Sequence, residues 1–266
     1  MAPTAHPKPG PVCTHPHNAL VDTTWWVLIA GALLAGFVQG LSGFAFGLVA
    51  SSIWAWWLPP QLVAVLIVFG SLFGQLLALA TARRSLQAAK LWPLLAGGLC
   101  GIPMGLWLLP RLDQVSFQLG VGLLLATWCP LMLLSGRMPR LRPQPAWAHL
   151  VIGGLGGFAG AVSGFSGVLP TLWFTLQGWD RDTLRGVIQN FNLALLSVTA
   201  LAYLGLGFVQ PAMWPQLAAV AAATTLPVLL GAKVYRGISP EAFKRWVLVL
   251  LSGAGLLMLL QSVLRL

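Results

Sequence analysis

The chain has 266 residues, 58% of them hydrophobic and 8% charged, with 15 Lys and Arg against 5 Asp and Glu for a net charge of +10. So apolar a composition excludes an ordinary soluble globular protein, and the length leaves no room for a soluble domain beside a polytopic membrane bundle. The cationic excess does not indicate nucleic-acid binding, because there is no RNA-binding signature and the Lys and Arg are read as residues of short loops, where cytoplasmic cations orient membrane proteins.

Residues 1–24 form a Pro- and His-rich tail without the basic start and apolar core of a signal peptide. His6, Cys13, His15 and His17 are metal-ligand types, but a proline-rich tail does not hold ligands in fixed geometry, so neither a metal nor a cofactor is expected. Cys13, Cys100 and Cys129 suggest no disulfide framework.

Apolar runs then follow at 25–57, 61–82, 91–110, 117–136, 147–177, 183–206, 212–232 and 246–264. Six of these are close to the ~20 residues that cross a bilayer core. The runs 25–57 and 147–177 are too long: as a helix, the first would extend roughly 50 Å against a core of about 30 Å. Each long run holds a glycine-rich phrase. The first is Gly36-Phe37-Val38-Gln39-Gly40-Leu41-Ser42-Gly43-Phe44, and the second is Gly157-Phe158-Ala159-Gly160-Ala161-Val162-Ser163-Gly164-Phe165. Glycine and serine hold a helix interior poorly, so each long run is expected to be two helical pieces joined by a non-helical turn. Weaker similarity continues in Gly105, Phe117 and Val121, which match Gly231, Phe243 and Val247 at a steady spacing. The expected organisation is a tail (1–24), a first membrane repeat (25–136), a basic linker (137–146) and a second repeat (147–266). The fold class is an all-α polytopic membrane protein with about eight apolar segments, each repeat a broken-helix hairpin plus three transmembrane helices.

Loop charge suggests that the repeats are inverted. The loop near 83–90 carries Arg83, Arg84 and Lys90, whereas its counterpart near 207–214 is uncharged. The loop near 111–116 pairs Arg111 with Asp113, whereas its counterpart near 233–245 carries Lys233, Arg236, Lys244 and Arg245 against Glu241. Equivalent loops with opposite bias face opposite sides of the membrane. The linker and the loop at 233–245 are then cytoplasmic, and residues 207–214 and both termini are external.

Asp22, Asp113, Asp180, Asp182 and Glu241 all fall outside the apolar interiors, and the spans are read as free of charge. An anion would therefore be held by backbone N–H groups at the helix breaks, where a helix N-terminus carries roughly half a positive charge and glycine permits close approach. The candidate substrate-binding residues are Gln39, Gly40, Ser42, Gly43 and Phe44 in the first phrase and Ser163, Gly164, Phe165, Ser166 and Gly167 in the second. Gln189, Asn190 and Asn192 form the densest polar cluster of any span and join the candidates, with Ser71 and Gln75 in the comparable region of the first half. Gly97, Gly101 and Gly105 are instead expected to serve close helix packing. Valine at Gly43 or Gly164 is expected to block transport at near-normal expression, and valine at Gly101 to lower the amount of folded protein. The tryptophans mostly fall near span ends, Trp54 among them, and read as interfacial anchors.

No catalytic constellation is evident: the serines of the phrases have no candidate base, so an enzyme is not expected. Divalent cations would want carboxylate or imidazole ligands that the spans lack, which favours an anion. Moving one charge through 100 mV is worth about 2.3 kcal/mol, so anion export from a negative interior runs downhill without a coupling ion.

The paired phrases, each opening a half of similar length, resemble those of the sulfite exporter TauE/SafE family, also called the toluene sulfonate uptake permease family. The resemblance covers the chain from about residue 25 and implies a multi-pass permease of the bacterial inner membrane for small sulfur-containing anions such as sulfite, sulfonates or sulfoacetate. A passive anion channel, or a permease for another small solute, is the alternative. The partners expected are the small anion and the lipid bilayer, with no nucleic acid; a homodimer is left open.

Overall fold

The computed structural model describes residues 16–81, 88–142, 144–234 and 240–265. His6, Cys13, His15, Arg83, Arg84 and Arg236 lie outside these, and the side chains of His17, Lys90, Glu241 and Lys244 are likewise not described. Among the described residues ten α-helices follow one another: α1 (Pro16–Ser42), α2 (Phe46–Trp54), α3 (Pro60–Thr81), α4 (Ala88–Leu108), α5 (Gln114–Leu134), α6 (Ala146–Ser163), α7 (Val168–Leu176), α8 (Arg181–Gly205), α9 (Trp214–Val234) and α10 (Pro240–Leu264). Among the described residues no strand occurs, and 8 helices are long and apolar enough to cross a membrane. The protein is an all-α polytopic membrane protein.

Helix α1 starts at Pro16, inside the stretch expected to be a tail. Hydropathy misses its polar first turns, yet nothing between His17 and Thr24 breaks a helix, and proline suits the first helical position. Two of the five acids are spent on caps: Asp113 accepts from Val115 N at 3.2 Å before α5, and Asp180 accepts from Thr183 N at 2.9 Å before α8. The Asp113 carboxyl is held below its ordinary range chiefly by its hydrogen bond with Ser116.

Both long apolar runs fold into hairpins. Trp54, at the end of α2, donates its indole N–H to Val27 O at 3.2 Å and lies on the bare surface of Gly31, so α2 doubles back along α1. Trp54 is fully buried, which corrects its reading as an interfacial anchor: its ring closes the hairpin. In the second half His149, near the start of α6, meets the Phe174 ring at 5.3 Å and Gln177 at 3.5 Å, so α7 doubles back along α6.

Glycines set the helix seams. Gly97, Gly101 and Gly105 of α4 lie against the backbone of Leu150, Gly154 and Phe158 of α6, leaving no space for a Cβ. Contacts that rise together in both helices make α4 and α6 parallel. In the same way Gly36 meets Thr224 and Gly40 meets Val228, so α1 and α9 are parallel. Without a hydrophobic driving force inside lipid, such close backbone approach is what holds membrane helices together. The contacts repeat when the halves are exchanged: α4 on α6 is matched by α9 on α1, α4 on α8 by α9 on α3, and α2 on α10 by α7 on α5. Helices α3 and α8 meet at the centre, where Val63 to Val68 are wholly buried, while large aliphatic side chains such as Leu201, Leu250 and Leu264 face outward.

Candidate substrate-binding site

Each hairpin turns at its glycine phrase. After α1, Gly43 adopts φ +84°, and after α6, Gly164 adopts φ +71°, the left-handed conformation that glycine enters without a Cβ penalty. These turns consume the N–H groups that sequence reasoning reserved for the anion. Gly43 N donates to Gln39 O at 2.7 Å, and Ser42 Oγ accepts from Phe44 N at 3.4 Å and Ala45 N at 3.1 Å while donating to Val38 O at 2.8 Å. Gly164 N donates to Gly160 O at 2.8 Å, Phe165 N to Ala159 O at 3.3 Å, and Ser163 Oγ also to Ala159 O at 3.3 Å. The cause is general: a helix leaves its last carbonyls unpaired, and the first N–H groups beyond it are the nearest donors. Among the described residues, the N–H groups left without a partner include the next ones along, Phe46 and Gly47 at the start of α2 and Ser166 and Gly167 before α7.

Buried amides surround the two turns. Gln75 Nε2 donates to Gly43 O at 2.5 Å, and Gln39 Nε2 donates to Ser71 O at 2.9 Å. Gln189 reaches across from α8, its Nε2 2.7 Å from where a Cβ on Gly43 would stand. Ser166 Oγ donates to Asn192 Oδ1 at 2.9 Å, and the Asn192 amide covers Gly167. The turns also touch one another: the Phe165 ring lies 3.0 Å from the Cβ position of Gly47, and Ile67 of α3 lies against both Gly47 and Gly164. Several polar atoms in this buried region lack partners among the described residues. Gln39 Oε1 and Ser71 Oγ have none.

The other candidates stand apart. Gly40 is a seam residue against Val228 and Gly231 of α9. Phe44 packs edge-on against Trp128 at 6.0 Å. Asn190 is about 100° round α8 from Gln189, and its Nδ2 is buried without a partner.

One residue of the region went unrecognised. Arg185 lies in the α8 span that begins at Thr183, half-buried, and a guanidinium nitrogen reaches Gly40 O at 3.5 Å. The reading of the spans as free of charge is thereby corrected: a span tolerates one arginine near its end without losing its mean hydropathy. The signal was present in the spacing, because Arg185, Gln189 and Asn192 are four and three residues apart and share one face of the helix.

A membrane bundle built from two similar halves, with broken hairpins meeting at a buried polar centre, has the form of a multi-pass transporter. The model of the family described as Sulfite exporter TauE/SafE matches residues 28–258, and the chain belongs to that family. Among curated proteins and among solved structures no match is found.

Proposed function

We propose that the protein exports a small sulfur-containing oxyanion, of the sulfite, sulfonate or sulfoacetate class, across a bacterial inner membrane through a site formed by the two helix breaks. The observation that carries this reading is the meeting of both breaks at a centre whose polar atoms are buried and only partly satisfied. Ser71 Oγ and the N–H groups of Ser166 and Gly167 are donors without protein partners among the described residues. Burying a polar group without a hydrogen bond costs roughly 1–3 kcal/mol, and a ligand offering several acceptor oxygens relieves several of these at once. Of the phrase residues, Ser166 and Gly167 contribute donors, whereas Gly43 and Gly164 shape the turns.

The repeats are inverted in this reading, and the helix directions support it. A hairpin followed by three crossings makes α1 and α3 parallel and α4 opposite to both; Gln39 against Ser71 and Gly43 against Gln75 fit the first part. Because α6 is parallel to α4, it opposes its equivalent α1. The linker side carries the exposed Arg137, Arg140 and Arg142 and is the cytoplasmic side by the positive-inside rule. Alternating access then follows from rocking one repeat against the other about the paired breaks.

The test is flux in proteoliposomes under an imposed potential, with labelled sulfite and alkylsulfonates as substrates. Saturable flux driven by a negative donor compartment is expected. Non-saturating ion current would replace the carrier with a channel, and no flux of any sulfur oxyanion would remove the substrate class.

A further inference from the structure

Resting on that proposed function, we infer that Gln39 reads a proton on the substrate: the site takes an oxyanion that keeps one O–H, hydrogensulfite in the proposed class, in preference to one that offers acceptors alone. Gln39 and Ser71 form a rung between α1 and α3, one helical turn from the rung of Gly43 and Gln75. Ile67, Ser71 and Gln75 are spaced four apart and share one face of α3. Ile67 lies against Gly47 and Gly164, and Gln75 Nε2 reaches Gly43 O, so Ser71 lies on the face that the two breaks cover. Gln39 Nε2 donates to Ser71 O at 2.9 Å, and its amide lies on the bare surface of Gly74. That bond fixes which way the amide points: turned end for end, Oε1 would meet another carbonyl oxygen. With Gln39 only 3% and Ser71 only 4% exposed, Gln39 Oε1 and Ser71 Oγ are both left buried without a partner.

The two atoms want different partners. A hydroxyl can donate, whereas an amide oxygen only accepts. An oxygen of a sulfonate or of the sulfite dianion set against Gln39 Oε1 would leave that acceptor unsatisfied and repelled, and an O–H in the same place satisfies it. The second half carries no such acceptor: Gly160 stands in its phrase where Gln39 stands in the first, and Ser166 packs on the bare surface of Gly160. Asn192 Oδ1 is already engaged by Ser166 Oγ. The second break thus offers the N–H groups of Ser166 and Gly167 to deprotonated oxygens, and the first offers an acceptor to the hydroxyl. Charge points the same way. The described contacts of the Gln39–Ser71 rung are with uncharged groups, and the Born cost of leaving water grows as the square of the charge, so a dianion costs about four times as much to bury as a monoanion. Among the described side chains, the charged or titratable ones on the helices packed against α1 and α3 are Arg185 and Tyr203 of α8, His149 of α6 and Lys233 of α9, with Arg111 after α4. Arg185 reaches Gly40 O, Tyr203 donates to Ala161 O, His149 lies at Gln177, and Lys233 and Arg111 are exposed.

The test uses the full chain in proteoliposomes. KM is measured for labelled sulfite from mildly acidic to alkaline pH, together with inhibition of that flux by methanesulfonate, a monoanion throughout and without an O–H. In the wild type, KM expressed as total sulfite is expected to rise with pH, by about 10-fold per pH unit once the dianion predominates, while the inhibition constant of methanesulfonate stays level. A level KM for sulfite would mean that both protonation states are carried alike, and an inhibition constant rising in step with KM would mean that a group of the protein titrates; either result overturns the inference. At mildly acidic pH, Gln39→Leu is expected to raise KM for sulfite roughly 2- to 10-fold relative to the inhibition constant of methanesulfonate, the worth of one hydrogen bond. A glutamine that only holds α1 to α3, or a rung filled by water, predicts an equal change for both anions, and an unchanged ratio overturns the inference. If Gln39→Leu fails to accumulate, the wild-type pH dependence decides alone. Flux of alkylsulfonates with none of sulfite would overturn the inference and leave the proposed function standing, whereas no flux of any sulfur oxyanion would remove both.

Discussion

Alanine at the two turn glycines separates shape from packing. Both positions are left-handed, φ +84° at Gly43 and φ +71° at Gly164, and a residue with a Cβ there costs about 1–2 kcal/mol. The neighbours then differ. At Gly43 the new methyl meets Gln189 Nε2 at 2.7 Å, the far end of a flexible side chain that swings aside. At Gly164 it falls well inside contact with Cγ2 of Ile67, a wholly buried β-branched residue with no free rotamer, and overpacking adds about 1–3 kcal/mol. Gly43→Ala should therefore cost about 1–2 kcal/mol, and Gly164→Ala about 2–5 kcal/mol, against a total stability of order 5–15 kcal/mol. Thermal melting of the detergent-purified proteins should rank wild type above Gly43→Ala above Gly164→Ala. Gly43→Ala, by displacing Gln189, should also raise KM for the anion. In Gly164→Ala the clash is relieved by Ile67→Ala, so the double variant should be less destabilised than the sum of the singles. Wild-type melting of Gly164→Ala would refute the reasoning. The same geometry corrects the expectation that valine at Gly43 or Gly164 leaves expression near normal, since a β-branched residue at positive φ is a genuine outlier.

What the sequence disclosed was whatever depends on length and local propensity. An apolar run too long for one crossing, interrupted by Ser-Gly-Phe, can only bend, and α1–α2 and α6–α7 bend there. The spacing of Gly97, Gly101 and Gly105 likewise foretold a seam, because a period of four places all three on one helix face. Partnership was not legible. That Gly97 faces Leu150, or that Gln189 crosses to Gly43, depends on how the halves dock, and no local pattern encodes it. The N–H groups of Gly43 and Gly164 were misassigned for a related reason: a glycine phrase reveals that backbone donors are exposed to approach, but the cap geometry decides which of them α1 and α6 take for themselves. Arg185 escaped because hydropathy averages over a window, whereas a single charge acts at one helical position.

Three further outcomes follow from the geometry. Gly101→Ala places a methyl inside the Gly154 carbonyl oxygen, a backbone atom with nowhere to move, so the α4–α6 seam must open; a loss of monodisperse protein in size-exclusion chromatography is expected, and wild-type yield would contradict the seam. Ser166→Ala removes the donor to Asn192 Oδ1 and a hydroxyl facing the second break; one neutral hydrogen bond of about 0.5–1.5 kcal/mol corresponds to a rise in KM of roughly 2- to 10-fold, and an unchanged KM would take Ser166 out of the site. The last outcome concerns orientation. In a cysteine-free background, Arg142→Cys in the linker and Gln210→Cys beyond α8 both present exposed positions, joined by a hairpin and a single crossing. Inverted repeats with the basic linker inside require an impermeant maleimide to label Gln210→Cys in intact cells, and Arg142→Cys only after the membrane is opened. The reverse pattern would place the linker outside, against the positive-inside rule. Labelling of both positions in intact cells would mean that α8 does not cross, and the parity on which inversion depends would be lost.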